Sequence, residues 1–157
     1  MSGCIIGNFG FQRSGKTLMA YLIAEQYRRK GCKVYTNMIT DDFINIKSLD
    51  DIPLDYEPKV LLLDEAYYFM DSRLWKNNTN SSIFFNTIGK QNIMLIITAI
   101  SPDTIEKRVR EQLNFCIFAK GDATQIHYKI LDVQRKTEKI LTFNKTPDLF
   151  NSLKYDT

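Results

Sequence analysis

Residues 10–17 have the types and spacing of a phosphate-binding loop. They read Gly-Phe-Gln-Arg-Ser-Gly-Lys-Thr, which fits the pattern G-x-x-x-x-G-K-[ST]. The glycines let the chain curl so that consecutive backbone N–H groups point at one anion. Lys16 would bridge the β- and γ-phosphate oxygens of a nucleotide, and the Thr17 hydroxyl would coordinate Mg²⁺. The predicted cofactor-binding residues are Gly10, Phe11, Gln12, Arg13, Ser14, Gly15, Lys16 and Thr17.

An acidic pair follows a strongly apolar run in the middle of the chain. Residues 60–63 are Val-Leu-Leu-Leu, typical of a strand buried on both faces, and Asp64 and Glu65 come next. Such a strand delivers its terminal carboxylate to the crevice where parallel sheets bind ligands. Asp64 is therefore predicted in the Mg²⁺ shell, and Glu65 is predicted to orient and polarise an attacking water. The alternative is that the two acids simply open a helix, where negative charge is favoured.

A polar residue at the end of the apolar run 93–101 is expected to touch the γ-phosphate or the water. Thr98 and Ser101 both fit this position. Thr98 is equally typical of a β-branched strand residue, and Ser101 of a helix cap. The two interpretations remain open at this point.

Arginines are the usual groups that stabilise transition-state charge in nucleotide hydrolysis. Arg73 follows the acidic pair by eight residues, and Arg108 and Arg110 flank Val109 on a predicted helix. The alternative for the last two is a solvated basic helix face. Arg13, inside the loop itself, would contact either the nucleotide or a neighbouring chain.

The composition is that of one globular domain, expected to span residues 1–157. The chain has 157 residues, 44% of them hydrophobic, and a formal net charge of +3. Its three cysteines form no C-x-x-C pair, which predicts reduced thiols in a cytoplasmic protein. Neither a signal peptide nor a membrane-spanning run is visible. A single histidine, His127, argues against a histidine-based metal site or a Ser-His-Asp triad.

Strands and helices alternate along most of the chain. The patterns predict strands at 3–9, 32–37, 60–63, 93–98 and 115–118, with a short extended piece at 43–46. Helices are predicted at 16–30, 66–70, 83–88 and 103–113, the last capped by Ser101 or Asp103. The segments 125–133 and 139–143 predict a hairpin joined through residues 135–138. The expected fold is α/β, a mostly parallel sheet with helices on both faces and a C-terminal antiparallel hairpin, with a core at 3–120 and an extension at 124–144.

Together these residues resemble the FtsK/HerA type of P-loop ATPase, and more narrowly the small viral genome-packaging and Zot-like ATPases. The resemblance spans about residues 3–120. It is carried by the Walker A loop 10–17, Asn37, the Walker B segment 61–66, Arg73 and the block 96–110. It implies a Mg²⁺-dependent ATP hydrolase that forms a homo-oligomeric ring, moves or packages DNA, and completes each site with a neighbour's arginine.

The chain departs from the resembled family in two ways. The family often has Gln at the end of the fourth strand, where this chain has Thr98. Zot-like proteins commonly carry a membrane-spanning segment and a further domain, and neither is visible here. The second departure favours a soluble packaging-type motor or a minimal ATPase subunit. Possible DNA contacts are Lys129, Arg135, Lys136 and Lys139 of the predicted hairpin, although a solvated hairpin tip explains them as well.

Two other functions fit the loop. A small-molecule kinase, such as a nucleotide kinase, fits the length, but Glu65 beside the Mg²⁺ carboxylate suits attack by water, which a kinase must exclude. A nucleotide-gated assembly protein with little turnover would use exposed aromatic residues as an interaction surface. The motif N-K-x-D is missed by one residue at 144–148, so a GTPase is not expected.

Overall fold

The computed structural model describes residues 3–47, 51–53, 55–66, 92–105 and 107–147. The strands in these ranges are β1 Cys4–Phe9, β2 Lys33–Thr36, β3 Ile44–Asn45, β4 Lys59–Leu63, β5 Ile93–Ala99, β6 Phe115–Gly121, β7 Gln125–Asp132 and β8 Thr137–Asn144. The helices are α1 Lys16–Arg29 and α2 Lys107–Glu111, and a short 3₁₀ turn Pro102–Thr104 precedes α2.

All of the described strands belong to one sheet. Its order is β3-β2-β4-β5-β1-β6-β7-β8. Every pairing from β3 to β6 is parallel, whereas β7 and β8 extend the sheet antiparallel to their neighbours. This arrangement confirms the predicted α/β fold with a C-terminal hairpin. In the parallel part, Asn8 of β1 lies opposite Thr98 of β5, so the carboxyl ends of the central strands align at one edge.

Helices cover both faces of the sheet, and this explains the continuous apolar runs of the central strands. All five residues of β4 and all seven of β5 are buried. Leu18, Met19 and Tyr21 of α1 pack on one face. Ile105, Val109 and Leu113 pack on the other. The right-handed crossover rule explains the two faces, because the chain moves in opposite directions across the sheet after β1 and after β5.

The predicted helix 103–113 is wrong in its first half. Ser101 precedes the 3₁₀ turn as its N-cap without a side-chain bond to it, and Ile105 is extended with φ −103° and ψ 157°. The extended conformation accompanies burial of the Ile105 side chain in the core, a tertiary contact that overrides the local helical pattern. The helix resumes as α2. The predicted helix 83–88, and all of the predicted helix 66–70 after Ala66, lie outside the described residues.

The hairpin packs against the loop between β1 and α1. Tyr128 of β7 is completely buried, and its hydroxyl donates a 2.7 Å hydrogen bond to the Gly15 carbonyl. Gly15 has φ +99°, and a Cβ there would lie only 2.8 Å from the Tyr128 hydroxyl and from Ile126. Tyr128 and Ile126 of the hairpin thus pack directly against Gly15 and stabilise its conformation. Its turn occupies residues 133–136, two residues earlier than predicted.

The turn between β6 and β7 is fixed by one carboxylate. Asp122 Oδ1 accepts hydrogen bonds from the backbone N–H groups of Thr124 at 2.8 Å and Gln125 at 2.7 Å. These backbone donors are the main cause that lowers the pKa of Asp122 from 3.8 to about 2, with a smaller contribution from His127.

We expect Tyr128→Phe to lower the free energy of unfolding by about 0.5–1.5 kcal/mol, because a buried hydrogen bond is lost while the ring remains. Urea unfolding at neutral pH measures the change. Tyr27→Phe is the matched control, since no hydrogen bond of the Tyr27 hydroxyl occurs within the described part of the chain, and its expected change is below about 0.5 kcal/mol. Equal decreases in the free energy of unfolding of the two variants would contradict a stabilising role for the Tyr128–Gly15 hydrogen bond.

Asp122→Ala is expected to destabilise the protein in a pH-dependent way. Because the folded-state pKa lies below the unfolded value of 3.8, the ionised carboxylate stabilises the fold above that value and loses its effect as the pH falls toward about 2. Urea midpoints of both proteins should differ by a constant amount above about pH 5 and converge below it. Asp103→Ala, at an exposed carboxylate, is the control. A difference that stays constant down to pH 3 would refute this prediction.

Candidate functional site

Side chains from neighbouring strands meet at the carboxyl edge of the parallel sheet. The loop 10–17 follows β1, Asn37 follows β2, and Asp64 and Glu65 follow β4. Thr98 lies near the end of β5, which runs between β4 and β1. Parallel strands place their carboxyl ends together, so residues far apart in sequence become one cluster.

The loop is curled tightly at its first glycine. Gly10 N–H donates to the carbonyls of Ala99 at 3.2 Å and Ile100 at 3.1 Å. A Cβ on Gly10 would lie 2.4 Å from Ser14 Oγ and 2.7 Å from the Ala119 carbonyl oxygen, so no other residue fits. Ser14 Oγ is buried and has no hydrogen-bond partner among the residues that the structure describes. A curled backbone with an unpaired buried hydroxyl fits a ligand rich in oxygen atoms.

The middle of the loop is open to solvent. The side chains of Phe11, Gln12 and Arg13 are exposed, Phe11 by 80%. Arg13 adopts φ 62°, a left-handed conformation that helps the loop to turn. These three residues are therefore placed in the loop as predicted, with their side chains on its outer surface.

Lys16 is a buried cation that faces a carboxylate. Only 4% of its surface is exposed, and its Nζ lies 3.6 Å from Glu65 Oε1. Burial of an ammonium group is costly unless an anion compensates it. The Glu65 side chain is 32% exposed, so its carboxylate also reaches solvent. The two predicted residues are thus brought together, with the carboxylate partly open to solvent.

Asp64 connects the loop with the sheet through one oxygen. Its Oδ1 accepts hydrogen bonds from Thr17 Oγ1 at 2.9 Å and Thr98 Oγ1 at 2.7 Å. Two oxygen ligands of an octahedral Mg²⁺, each at about 2.1 Å, lie about 3.0 Å apart. The separation of Thr17 Oγ1 and Asp64 Oδ1 therefore fits a shared Mg²⁺. No three His, Cys, Asp or Glu side chains cluster in a way that would hold a metal, as far as the described ranges extend.

The Thr98 hydroxyl is fully engaged with the acidic pair. It donates to Asp64 Oδ1 and accepts the backbone N–H of Glu65 at 2.9 Å. Thr98 is completely buried. Its hydroxyl hydrogen points to Asp64 in this state, so the contact with a γ-phosphate or water stays a prediction. Ser101, the other candidate, lies beyond the end of β5.

Of Arg73, Arg108 and Arg110, only Arg110 has its side chain among the described residues. Arg73 lies outside them. Arg108 belongs to α2, on the face of the sheet opposite α1, and its side chain is not described. Arg110 Nη1 lies 3.7 Å from Asp103 Oδ1. The role of each arginine therefore stays a prediction.

Two site contacts were not predicted from the sequence. One is the support of Gly15 by Tyr128, which the alternating pattern of β7 indicates only as a buried position. The other is made by Asn37, whose Nδ2 donates to the Asp64 carbonyl and whose Oδ1 accepts the Asp64 N–H, both at 2.8 Å. Asn37 is one of the residues that carry the family resemblance, but no partner is predicted for it from the sequence, and its place directly after a strand that neighbours β4 is the signal for this contact.

No protein-family model matches this sequence, and no curated protein matches it. Solved structures do match. The N-terminal domain of zonular occludens toxin from Neisseria meningitidis has a TM-score of 0.67 and 16% identity, covering 99% of this chain and 100% of that one. The genome packaging NTPase B204 from Sulfolobus turreted icosahedral virus 2, in complex with ATP-γS, has a TM-score of 0.66 and 14% identity over 88% of this chain and 96% of its own.

A third similar structure is the flagellar accessory protein FlaH from Methanocaldococcus jannaschii. Its TM-score is 0.64 at 15% identity, covering 90% of this chain and 85% of that one. No helix of the described residues has the length and apolar character needed to span a membrane. The curled loop, the acidic pair after β4 and the structural likeness agree with one another, and the chain has the fold of these solved structures.

Proposed function

We propose that this protein is a Mg²⁺-dependent ATP hydrolase. The observation that carries the proposal is the approach of Glu65 Oε1 to within 3.6 Å of Lys16 Nζ, beside the Thr17–Asp64 hydrogen bond. The cation that would bind phosphate, the two oxygens that would ligate Mg²⁺ and the carboxylate that would orient water therefore belong to adjacent residues of two segments, 16–17 and 64–65. The structurally similar packaging NTPase in complex with ATP-γS supports ATP as the nucleotide.

The chain's own groups supply most of what the reaction requires. The loop N–H groups and the Lys16 ammonium would hold the β- and γ-phosphates and neutralise charge that develops on them. Thr17 and Asp64 would hold Mg²⁺, which when bound supplies further neutralisation of the phosphate oxygens. Glu65 would orient a water molecule in line with the γ-phosphorus and accept its proton as the bond to the β,γ-bridging oxygen breaks.

We further propose that hydrolysis drives movement of DNA by a homo-oligomer, as in viral genome packaging or virion assembly. The likeness to a genome packaging NTPase supports this process. Arg135, Lys136 and Lys139 are exposed on the hairpin and available to phosphates of DNA. Arg73 and Arg108 remain the candidates for an arginine that completes the site of a neighbouring subunit.

Substitutions at Lys16 and Glu65 should separate binding from hydrolysis. Lys16→Ala is expected to abolish turnover and weaken ATP binding, because the phosphate charge loses its buried cation. Glu65→Gln should retain binding while turnover falls by about 10²–10⁴-fold, the usual contribution of a general base. Phosphate release and binding of a fluorescent ATP analogue measure the two effects.

The exposed Glu111, which pairs with Lys107, offers the matched control Glu111→Gln, and this variant should turn over normally. Normal hydrolysis by Glu65→Gln would remove the assignment of Glu65 as the group that activates water.

DNA coupling is tested by steady-state ATP hydrolysis with and without double- and single-stranded DNA, across a series of protein concentrations. A DNA motor with shared sites should respond to DNA and show turnover that rises more than linearly with protein. Addition of Arg108→Ala subunits to wild-type protein should depress turnover more than dilution does if Arg108 acts on a neighbour, whereas Lys107→Ala subunits should not. Turnover indifferent to both DNA and concentration would eliminate the motor.

A further inference from the structure

The peptide group between Asp64 and Glu65 is held by side chains from both strands that flank β4. On one side, Asn37 Nδ2 donates to the Asp64 carbonyl at 2.8 Å. On the other side, Thr98 Oγ1 accepts the Glu65 N–H at 2.9 Å. Asn37 Oδ1 also accepts the Asp64 N–H at 2.8 Å, so one carboxamide binds the peptide groups before and after Asp64.

The backbone held in this way is not one that glutamate prefers. Glu65 has φ 50°, in the left-handed region where the Cβ crowds the backbone. Such a conformation persists only when the surroundings enforce it, and it occurs most often at functional sites. Among the described residues, the contacts that hold this segment are the paired hydrogen bonds of Asn37 and the hydroxyl of Thr98.

The direction of the Glu65 side chain depends on this backbone. With φ 50°, the carboxylate lies 3.6 Å from the Lys16 ammonium. A change of the Glu65 φ to the usual negative range would redirect its Cβ, and with it the carboxylate that now faces Lys16. A misplacement of about 1 Å is enough to cost about 10²-fold in rate when the group must meet a bound reactant.

We propose that Asn37 is a positioning residue of the hydrolytic site, one that acts through Glu65 without touching the nucleotide. This inference rests on the proposed hydrolase function. A carboxamide suits the task because it donates and accepts at once, whereas a carboxylate or a hydroxyl matches only part of the pattern. Removal of the side chain frees both peptide groups of Asp64 and leaves the phosphate-binding loop intact.

Asn45 provides a matched control in the same segment of the chain. Its Nδ2 donates to the Met38 carbonyl at 2.9 Å, also a side-chain to backbone bond in a partly buried position. Asn37→Ala is expected to lower kcat by about 10–100-fold with a KM for ATP within about threefold of wild type. Asn45→Ala should leave both unchanged.

The effect must also vanish when Glu65 is absent. In the Glu65→Gln background, Asn37→Ala should lower the residual turnover no further, because both changes remove the same group from the reaction. Effects that multiply in the double variant, or equal losses of kcat in Asn37→Ala and Asn45→Ala, would overturn the proposal. If Asn37→Ala does not fold, Asn37→Asp replaces it. That variant keeps an acceptor for the Asp64 N–H but loses the donor, and it should show the same split between kcat and KM.

Thermal unfolding without nucleotide tests the same role independently of any turnover. The midpoint should rise from Glu65→Ala to Glu65→Gly, since both variants lack the carboxylate that faces Lys16 and only glycine adopts positive φ without strain. The rise should shrink when Asn37→Ala is present, because the freed peptide relaxes. An equal rise in both backgrounds overturns the role of Asn37. If the midpoints behave as expected but the wild-type protein hydrolyses no ATP, the effect of Asn37 on the Glu65 backbone is retained and the proposed hydrolase function is refuted.

Discussion

One oxygen atom, Asp64 Oδ1, joins the parts of the site that the chain supplies from different strands. It accepts hydrogen bonds from Thr17, at the start of α1, and from Thr98, on β5. Hydrogen bonds to an ionised carboxylate are shorter and stronger than neutral ones, so these two contacts fix the loop against the sheet. Asp64 could not make both contacts unless β4, β5 and β1 ended at the same level, which the parallel register provides.

Charge sets the second constraint. Lys16 is almost completely buried at the end of a loop whose N–H groups and following helix already favour an anion. Glu65 is the carboxylate near its ammonium, at a distance longer than a hydrogen bond. The Lys16 ammonium is therefore paired with a carboxylate that is not within hydrogen-bond distance, a condition under which a polyphosphate would compete for the same cation.

The parts of this site that the sequence predicted are those that local pattern determines. Residues 10–17 specify a loop by glycine spacing, and β4 specifies a buried strand by its apolar run, so the acidic pair could be placed at the sheet edge. Thr98 was predicted to lie there, but its partners depend on the register between β4 and β5. The sequence pattern predicts a continuous helix over 103–113, but Ile105 is extended because its side chain is buried in the core. The contact between Tyr128 and Gly15 joins residues 113 positions apart, and no local pattern encodes it.

That last contact bears on how the protein is made. The loop that would bind phosphate is synthesised among the first residues, but the side chain that supports Gly15 comes from the seventh strand. Chains emerge from the ribosome at about 5–20 residues per second. Tyr128 is therefore synthesised several seconds or more after Gly15. Contacts of such long range form late because the intervening chain must first be ordered. A nascent chain released before β7 thus contains the complete loop 10–17 without the side chain that packs against Gly15.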